Sequence, residues 1–432
     1  MTHGFSKENQ SSVATAYQFG EFELFPADRM LKRSGVRIPI QPKAFEALLC
    51  LVSRAQHLVS KQELINRLWP AIHVSEANLT NTIVGLRKVL GRGAISTVSK
   101  YGYRLELPVL GEPGVERSTY EKFARARELA AQRSLESMEL ARDLYWTCIA
   151  EEPGFAAAWA GLGRCCWFMD KFASSSAASA DLAQAVFQRA FAIDPDLANA
   201  HQFYTFVQVD TGYADKAMTR LLKRLRNHPD EPETYASLVH VLRFRGLLDE
   251  SAEAHERAAK LDPAVTTSVA HTLFLIGDYA RAIETYGGRA GYYLDAAAWA
   301  ALGEEKRATI LLRERLGRMP LSKLMTALME SLLAILEGRG GEAVALMEGA
   351  DTVREPEILG YFARHYAYLG LADRAMQTAM QARTSGFLFA PQTLRSDPWF
   401  STLRDHLQFE RLLSESEARV AEARSGFEAY GS

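Results

Sequence analysis

VSEANLTNTIVGLRKVLG, residues 74–91, decides the fold of the N-terminal part of this chain. Ser75 is placed to cap a helix over residues 76–90, and Gly91 with Gly93 ends it. At 100° per residue Leu79, Ile83, Leu86 and Leu90 fall on one stripe, the side that faces a core. The opposite side carries Ala77, Asn78, Asn81, Val84, Gly85 and Lys88, with Thr82 and Arg87 on its flanks. That side is polar, short-chained and lightly basic. Taken alone, such a helix is most often a solvated face, so its neighbours decide what it does.

Upstream, LVSKQELINRLWP (58–70) reads as a second helix: Ser60 and Glu63 form a capping box, Leu64, Ile65 and Leu68 are its core side, and Trp69-Pro70 stops it. A first helix begins at Pro42 and aligns Phe45, Leu48, Leu49 and Val52. Before it, residues 19–25 read as a strand, and Val36, Ile38 and Ile40 alternate on another after the Ser34-Gly35 turn. Downstream, residues 96–98 and 103–107 form a hairpin around Lys100-Tyr101-Gly102. Strands, three helices and a terminal hairpin describe a winged helix-turn-helix. In that order the exposed side of the third helix gains a meaning. Small residues allow close approach to a groove floor, Asn suits bidentate contact with adenine, and Lys or Arg at the margins neutralises phosphate.

The run 74–91, followed by ISTVSKYGYRL (95–105) and preceded by 58–70, resembles the DNA-binding domain of OmpR/PhoB-type transcription regulators over about residues 17–107. The resemblance implies that the third helix enters the major groove and the wing reaches backbone or minor groove of double-stranded DNA. It places Asn78, Asn81, Thr82, Val84, Gly85 and Lys88 at base edges or nearby phosphates, gives Arg87 to backbone and packing, and assigns Thr97, Ser99, Lys100 and Tyr101 to the wing. It also assigns Trp69 and His73 to a loop through which family members contact RNA polymerase. Where some members carry Arg, this chain has Val84 and Gly85, and a wing position that is often basic is Ser99. Contacts by Asn81, a Val84 methyl contact and shape readout are therefore expected ahead of direct guanine readout. A receiver domain needs on the order of 100 residues, and only 16 precede the first strand, so a two-component response regulator is not expected.

The whole chain has 432 residues, 48% hydrophobic and 24% charged, with a formal net charge of −2, which by itself argues against a nucleic-acid partner. The sum hides two opposed terms. Residues 1–110 hold 14 Lys+Arg against 8 Asp+Glu, a surplus of +6, and the remainder carries −8. Four cysteines without CxxC spacing indicate a reducing cytosol, with adjacent Cys165 and Cys166 as space-fillers. No uncharged apolar run reaches the roughly 18–20 residues of a spanning helix, since Glu330 breaks the best candidate at 325–336, and the N-terminus lacks the apolar core of a signal peptide. A cytoplasmic protein without a membrane segment is expected.

Beyond residue 118 the chain is Ala- and Leu-rich with helical spacing nearly throughout. Pro153, Pro195, Pro229 and Pro263 recur at 42, 34 and 34 residues, and each follows a small residue by twelve: Ala141, Ala183, Ala217 and Ser251. Gly212, Gly246, Gly277, Gly303, Gly338 and Gly370 each precede a small residue by five. Gly supplies the turn between two antiparallel helices, the small residue lets them approach, and Pro ends the second. With Trp159, Leu162 and Gly163 forming W-x2-L-G, this resembles the 34-residue tetratricopeptide pattern.

The fold expected is thus mainly α: a small α+β winged helix-turn-helix domain followed by an α-helical tetratricopeptide-like solenoid. Its parts are a disordered 1–16, the winged domain at 17–107, a linker at 108–118, repeats at 119–285, degenerate repeats at 286–385 and a capping segment at 386–432, where Trp399, Phe400, Leu403 and Phe409 close the core. The resemblance to the repeat family places Arg164, Asn199, Gln202, His240 and Arg243 on a concave surface open to a peptide, a protein or a small effector.

No P-loop, strand-linked GxGxxG, GxSxG or HExxH occurs, and the ten histidines do not gather at metal-ligand spacings. No catalytic residue, metal or cofactor is expected. The combination resembles one-component bacterial regulators of the HilA/CadC kind, which implies a sequence-specific DNA-binding regulator whose repeats serve sensing, homodimerisation or protein contact. A protein–protein scaffold and a regulator that senses a small molecule in its repeat groove are the alternatives.

Overall fold

The computed structural model describes residues 16–431 apart from 27–28, 55–56, 70–75, 108, 112–116, 133, 173–177, 264, 287–292, 319–322 and 351–354. It falls into two compact units, residues 1–127 with 144–155, and 128–143 with 156–432.

The first unit opens on four short antiparallel strands, β1 (Tyr17–Phe19), β2 (Phe22–Phe25), β3 (Met30–Arg33) and β4 (Val36–Ile38). The stretch 19–25, read as one strand, is two, because Gly20 takes φ +56° and turns the chain between them. Next come α1 (Pro42–Ser53), β5 (Val59–Ser60), α2 (Lys61–Leu68), α3 (Glu76–Leu90), β6 (Ile95–Val98), β7 (Gly102–Leu105) and β8 (Val109–Gly111). Pro42 is the first residue of α1, where its missing N–H costs nothing, and the Ser60 hydroxyl accepts from Glu63 N to cap α2. Within 108–118, read as a linker, residues 109–111 and 117–118 belong to regular elements, and the rest lies outside the described residues. Strand β8 pairs with β1 and completes a sheet ordered β4-β3-β2-β1-β8, and α4 (Arg117–Ala131) then begins. Phe19, Leu24 and Leu31 of the sheet, Leu48 and Leu51 of α1, Leu64, Ile83, Leu86 and Leu105 join in one buried core. The unit ends with the last part of α5 (Leu135–Glu151), where Tyr145 meets Phe123 of α4 edge-on.

The second unit is a run of antiparallel helix pairs: α6 (Ala156–Phe172) with α7 (Ala178–Ile193), α8 (Ala198–Asp210) with α9 (Ala214–Asn227), and α10 (Pro232–Phe244) with α11 (Leu248–Leu261). Then follow α12 (Val269–Ile276) with α13 (Tyr279–Glu284), α14 (Leu294–Ala301) with α15 (Glu305–Arg318), α16 (Lys323–Leu336) with α17 (Gly340–Gly349), and α18 (Pro356–Tyr368) with α19 (Ala372–Thr384). The six turn glycines all lie at φ between 70° and 95°, the left-handed region open to them at little cost. Their small partners five residues on, from Ala217 to Ala375, are buried in every pair. The unit is thus an array of antiparallel helix pairs, each with a left-handed glycine at its turn from α8 onward. Gly163 of the W-x2-L-G run shows why a side chain is excluded: a Cβ there would stand 2.7 Å from the Phe187 ring. Gly163→Val should cost about 1–3 kcal/mol through overpacking, read by urea unfolding followed by helical circular dichroism.

The inside of the array is filled by the chain itself. All twelve residues from Pro356 to Ala367 of α18 are buried. A helix apolar nearly all round belongs in a core, and this one holds its few polar groups in pairs. Arg243, 1% exposed, gives Nε to Glu357 at 3.0 Å and Nη1 to the Ser268 hydroxyl at 2.8 Å. Lys171 donates to Glu355 at 2.8 Å and stands 3.2 Å from Asp210. Arg364 reaches Asp397 at 2.5 Å over the rings of Phe274 and Trp399, and His365 lies between the hydroxyls of Tyr293 and Ser331.

The final segment, α20 (Pro391–Ser396), a 3-10 turn at Pro398–Phe400, α21 (Ser401–Arg404) and α22 (Phe409–Gly431), does not sit on the end of the array as a lid. Leu388 N donates to Phe244 O, and α22 packs along α9, midway through the repeats. Trp399, Phe400, Leu403 and Phe409 are buried, as core residues rather than as an end cap. Among the described residues no helix is long and apolar enough to cross a membrane.

Candidate nucleic-acid interface

Helix α3 buries Leu79, Ile83, Leu86 and Leu90 against α1 and α2, and this leaves its other side outward. Ala77, Asn78, Asn81, Val84 and Lys88 are exposed, Val84 by 42%, an unusual amount for a valine in a helix. Positions 77, 81, 84 and 88 follow one another at helical spacing, so they make a single ridge. Gly85 opens that ridge, since a Cβ built on it meets nothing within 4 Å. The Thr82 hydroxyl donates back to Asn78 O at 2.9 Å, which leaves its lone pairs outward and its proton spent.

The wing is fixed to this helix by a side chain. Arg87 donates Nε and Nη2 to Ile95 O, at 2.9 and 2.8 Å, and Nη2 also to the Thr97 hydroxyl at 2.7 Å. Its guanidinium lies 5.9 Å from the Tyr103 ring centre. These bonds use the inner edge of the planar fork, so Arg87 acts chiefly on the wing. Within the wing, β6 pairs with β7, and β5 adds on the far edge through Val59 to Tyr103 and Ser60 to Gly102. Gly102 is required by that close approach, because a Cβ would fall 2.0 Å from Val59 O. Ser99 and Lys100 are exposed at the tip, Lys100 at φ +70°. Tyr101 is half-buried, and its carbonyl accepts from Lys61 N at 2.9 Å, closing the tip onto the start of α2.

That bond brings in a residue the sequence reading did not single out. Lys61, first in α2, also pairs with Glu76, first in the described part of α3, at 2.6 Å. It links both helix starts to the wing, and its place directly after the Ser60 cap was the available signal. Trp69 is half-buried against the core with Lys43 Nζ 5.7 Å from its ring centre, so its ring is largely committed to packing. His73 lies outside the described residues.

The repeat positions do not form an open wall together. Asn199 is exposed and Gln202 half-buried, while Arg164 donates to Ala130 O at 3.1 Å and covers the Phe203 ring. His240 and Arg243 are correctly placed on a first helix but buried, because α18 occupies the side they face. His240 sits between the Phe206 and Phe244 rings and accepts from Arg243 Nη2 at 2.8 Å; burial and the Arg243 charge push its pKa well below the ordinary histidine value. Burial works against the carboxylate of Glu357, yet Arg243 and His271 hold it well below the usual range. Burial likewise opposes the charge on Lys171, and Asp210 and Glu355 more than offset it. The four cysteines are free and buried, and burial pushes the Cys165 thiol up to about 12. No group of three or more His, Cys, Asp or Glu among the described residues could hold a metal.

Residues 35–105, which contain α1 to α3 and the wing, match the family model "Transcriptional regulatory protein, C terminal". The transcriptional regulator HilA of Salmonella typhimurium is 33% identical over 98 residues, covering 22% of this chain and 18% of HilA. The transcriptional activator CadC of Escherichia coli is 29% identical over 97 residues, 21% of this chain and 19% of CadC. The chain therefore spans less than a fifth of the length of these two curated relatives. The solved DNA-binding domain of E. coli CadC is 26% identical, covers 23% of this chain and all of that one, and gives a TM-score of 0.22.

Proposed function

We propose, on the premise that residues 35–105 form an OmpR/PhoB-type transcription-regulator domain, that this protein binds double-stranded DNA sequence-specifically and regulates transcription. The observation that carries the reading is the exposed, short-chained ridge of α3, with Asn78, Asn81, Val84, Gly85 and Lys88 outward from a buried leucine stripe. In this reading α3 lies in the major groove. Asn81 and Asn78 read base edges, Val84 contacts a thymine methyl, Gly85 lets the helix approach, and Lys88 neutralises phosphate. Thr82 accepts from a neighbouring donor. Lys100, with Ser99, Thr97 and Tyr101, places the wing on backbone or minor groove, at a spacing set by Arg87. The +6 surplus of residues 1–110 supplies the electrostatic share of affinity.

Residues 17–107 act as the reader, and the helical array serves regulation through a partner, an effector or a second copy of the chain. The segment after Trp69, with His73, contacts RNA polymerase in this reading, as the family resemblance implies. The matched relatives are transcription regulators, which supports a non-enzymatic role, and a cytoplasmic setting follows from access to the chromosome.

Genomic fragments retained by the full-length protein would define its operator, and fluorescence anisotropy on that operator between about 50 and 200 mM salt tests the reading. The expected result is a linear fall of log affinity with log salt, with a slope of about −0.9 for each phosphate neutralised. A flat dependence, or equal retention of unrelated duplexes, overturns it.

A further inference from the structure

The outward surface of α3 and the wing holds a single carboxylate. From residue 77 to 105, through the rest of α3 and both wing strands, no Asp or Glu occurs, while Arg87, Lys88, Arg92, Lys100 and Arg104 do. Glu76, first in the described part of α3, stands alone at the edge of this stretch. A negative side chain there favours the helix, whose N-terminus bears positive partial charge. The same charge opposes DNA, because the start of a helix lying in the major groove comes close to phosphates.

Glu76 is answered from another helix. The Lys61 ammonium stands 2.6 Å from its carboxylate, and side-chain exposures of 24% for Lys61 and 65% for Glu76 make the carboxylate the more outward partner. Glu63, the acidic residue in the first turn of α2, has its own cation in Arg54 at 2.8 Å, so the acids at the two helix starts are matched one to one. At 100° per residue Glu76, Thr80 and Arg87 fall within about 40° of one another, on the flank toward the wing. Arg87 ties the far end of that flank to β6 through Ile95 O. Lys61 ties the near end, with its backbone N–H on Tyr101 O at 2.9 Å and its ammonium on Glu76.

We propose that Lys61 is a positioning residue for DNA binding: its ammonium cancels the Glu76 charge where α3 enters the groove, and its backbone bond to the wing tip fixes the start of α3 against the wing. Lys61 acts through Glu76 and not as a phosphate contact of its own. Without the ammonium a bare carboxylate faces the duplex, a repulsion that grows as salt is lowered. The inference rests on the DNA-binding reading, with α3 in the major groove.

Fluorescence anisotropy of the full-length protein on its operator, starting from about 50 mM salt, tests this with three variants. Lys61→Met, which keeps the aliphatic stem and the backbone N–H, should bind about tenfold more weakly. Glu76→Gln should bind at least as tightly as wild type. Lys61→Met combined with Glu76→Gln should return to within about twofold of wild type, with an unchanged salt slope. Were the pair only structural, all three variants would lose affinity alike. An unchanged Lys61→Met overturns the proposal. So does a double variant as weak as Lys61→Met whose slope has fallen by about 0.9, since Lys61 would then be a phosphate contact. Loss of affinity in Glu76→Gln overturns it too, whether or not Lys61→Met folds. Wild-type protein that holds its operator no better than unrelated duplexes removes the DNA-binding reading and this inference with it, whereas specific wild-type binding with any of the other adverse results removes the positioning role alone.

Discussion

Arg243→Ala should lower the unfolding free energy of the helical array by about 3–5 kcal/mol, the usual loss when one partner of a buried charge pair is removed. The guanidinium is 1% exposed and bonds Glu357, Ser268 and His240 at once, joining α10 to α18 across 114 residues of sequence. Without it, the Glu357 carboxylate is left beside His271 Nδ1, at 3.3 Å, in a site from which water is largely excluded. Urea titration followed by circular dichroism at 222 nm measures the loss. Replacing both partners, with Arg243→Met and Glu357→Leu together, should restore most of it, since two apolar groups leave no charge stranded. A single substitution costing less than 1 kcal/mol would show that the pair is solvated.

Asn81→Ala combined with Lys88→Ala should weaken operator binding by about 1–3 kcal/mol from the lost base contact, roughly 5- to 150-fold, with a further decrease from the lost phosphate contact. The two halves are separable. Asn81→Ala alone should relax specificity at one base position and leave the salt slope unchanged. Lys88→Ala alone should weaken all sequences alike and reduce the slope by about 1. Both side chains are exposed on the outer side of α3, away from its buried stripe, so the melting temperature of the head should hardly move. Anisotropy on the operator and on one-base variants of it measures both effects. An unchanged affinity and footprint in the double variant would remove α3 as the reader. Arg87→Ala is less diagnostic, because that residue acts through the wing.

The third helix was legible because its apolar stripe repeats at helical spacing for fifteen residues, and the structure places α3 over Glu76–Leu90. The helix pairs were legible for a related reason: a left-handed turn selects glycine, a close helix crossing selects alanine or serine, and the two recur at a fixed offset. What failed was long-range. Consensus register places His240 and Arg243 on a first helix, but nothing local says that α18, more than a hundred residues on, will cover them. The composition of α18 carried a partial signal, since Ile358, Leu359, Tyr361, Phe362, Tyr366 and Ala367 leave it almost no polar side. Arg87 illustrates the same limit at short range. Its helical position marks it as a flank residue, and only the hairpin folded beside it reveals that Ile95 O takes up its donors.

Repeat arrays normally evolve by gaining and losing whole units, because each unit touches only its neighbours. The buried α18 removes that freedom here. Lys171 on α6 meets Glu355, 184 positions later, and Arg243 on α10 meets Glu357, so the five helix pairs from α8 with α9 to α16 with α17 are counted between fixed ends. Adding or deleting one 34-residue unit between those ends would pull both carboxylates out of register with their cations. The chain can drift in sequence along its outer helices, but its number of repeats is locked, and homologues that keep the Glu355-Pro356-Glu357 contact should keep the same length between the two ends.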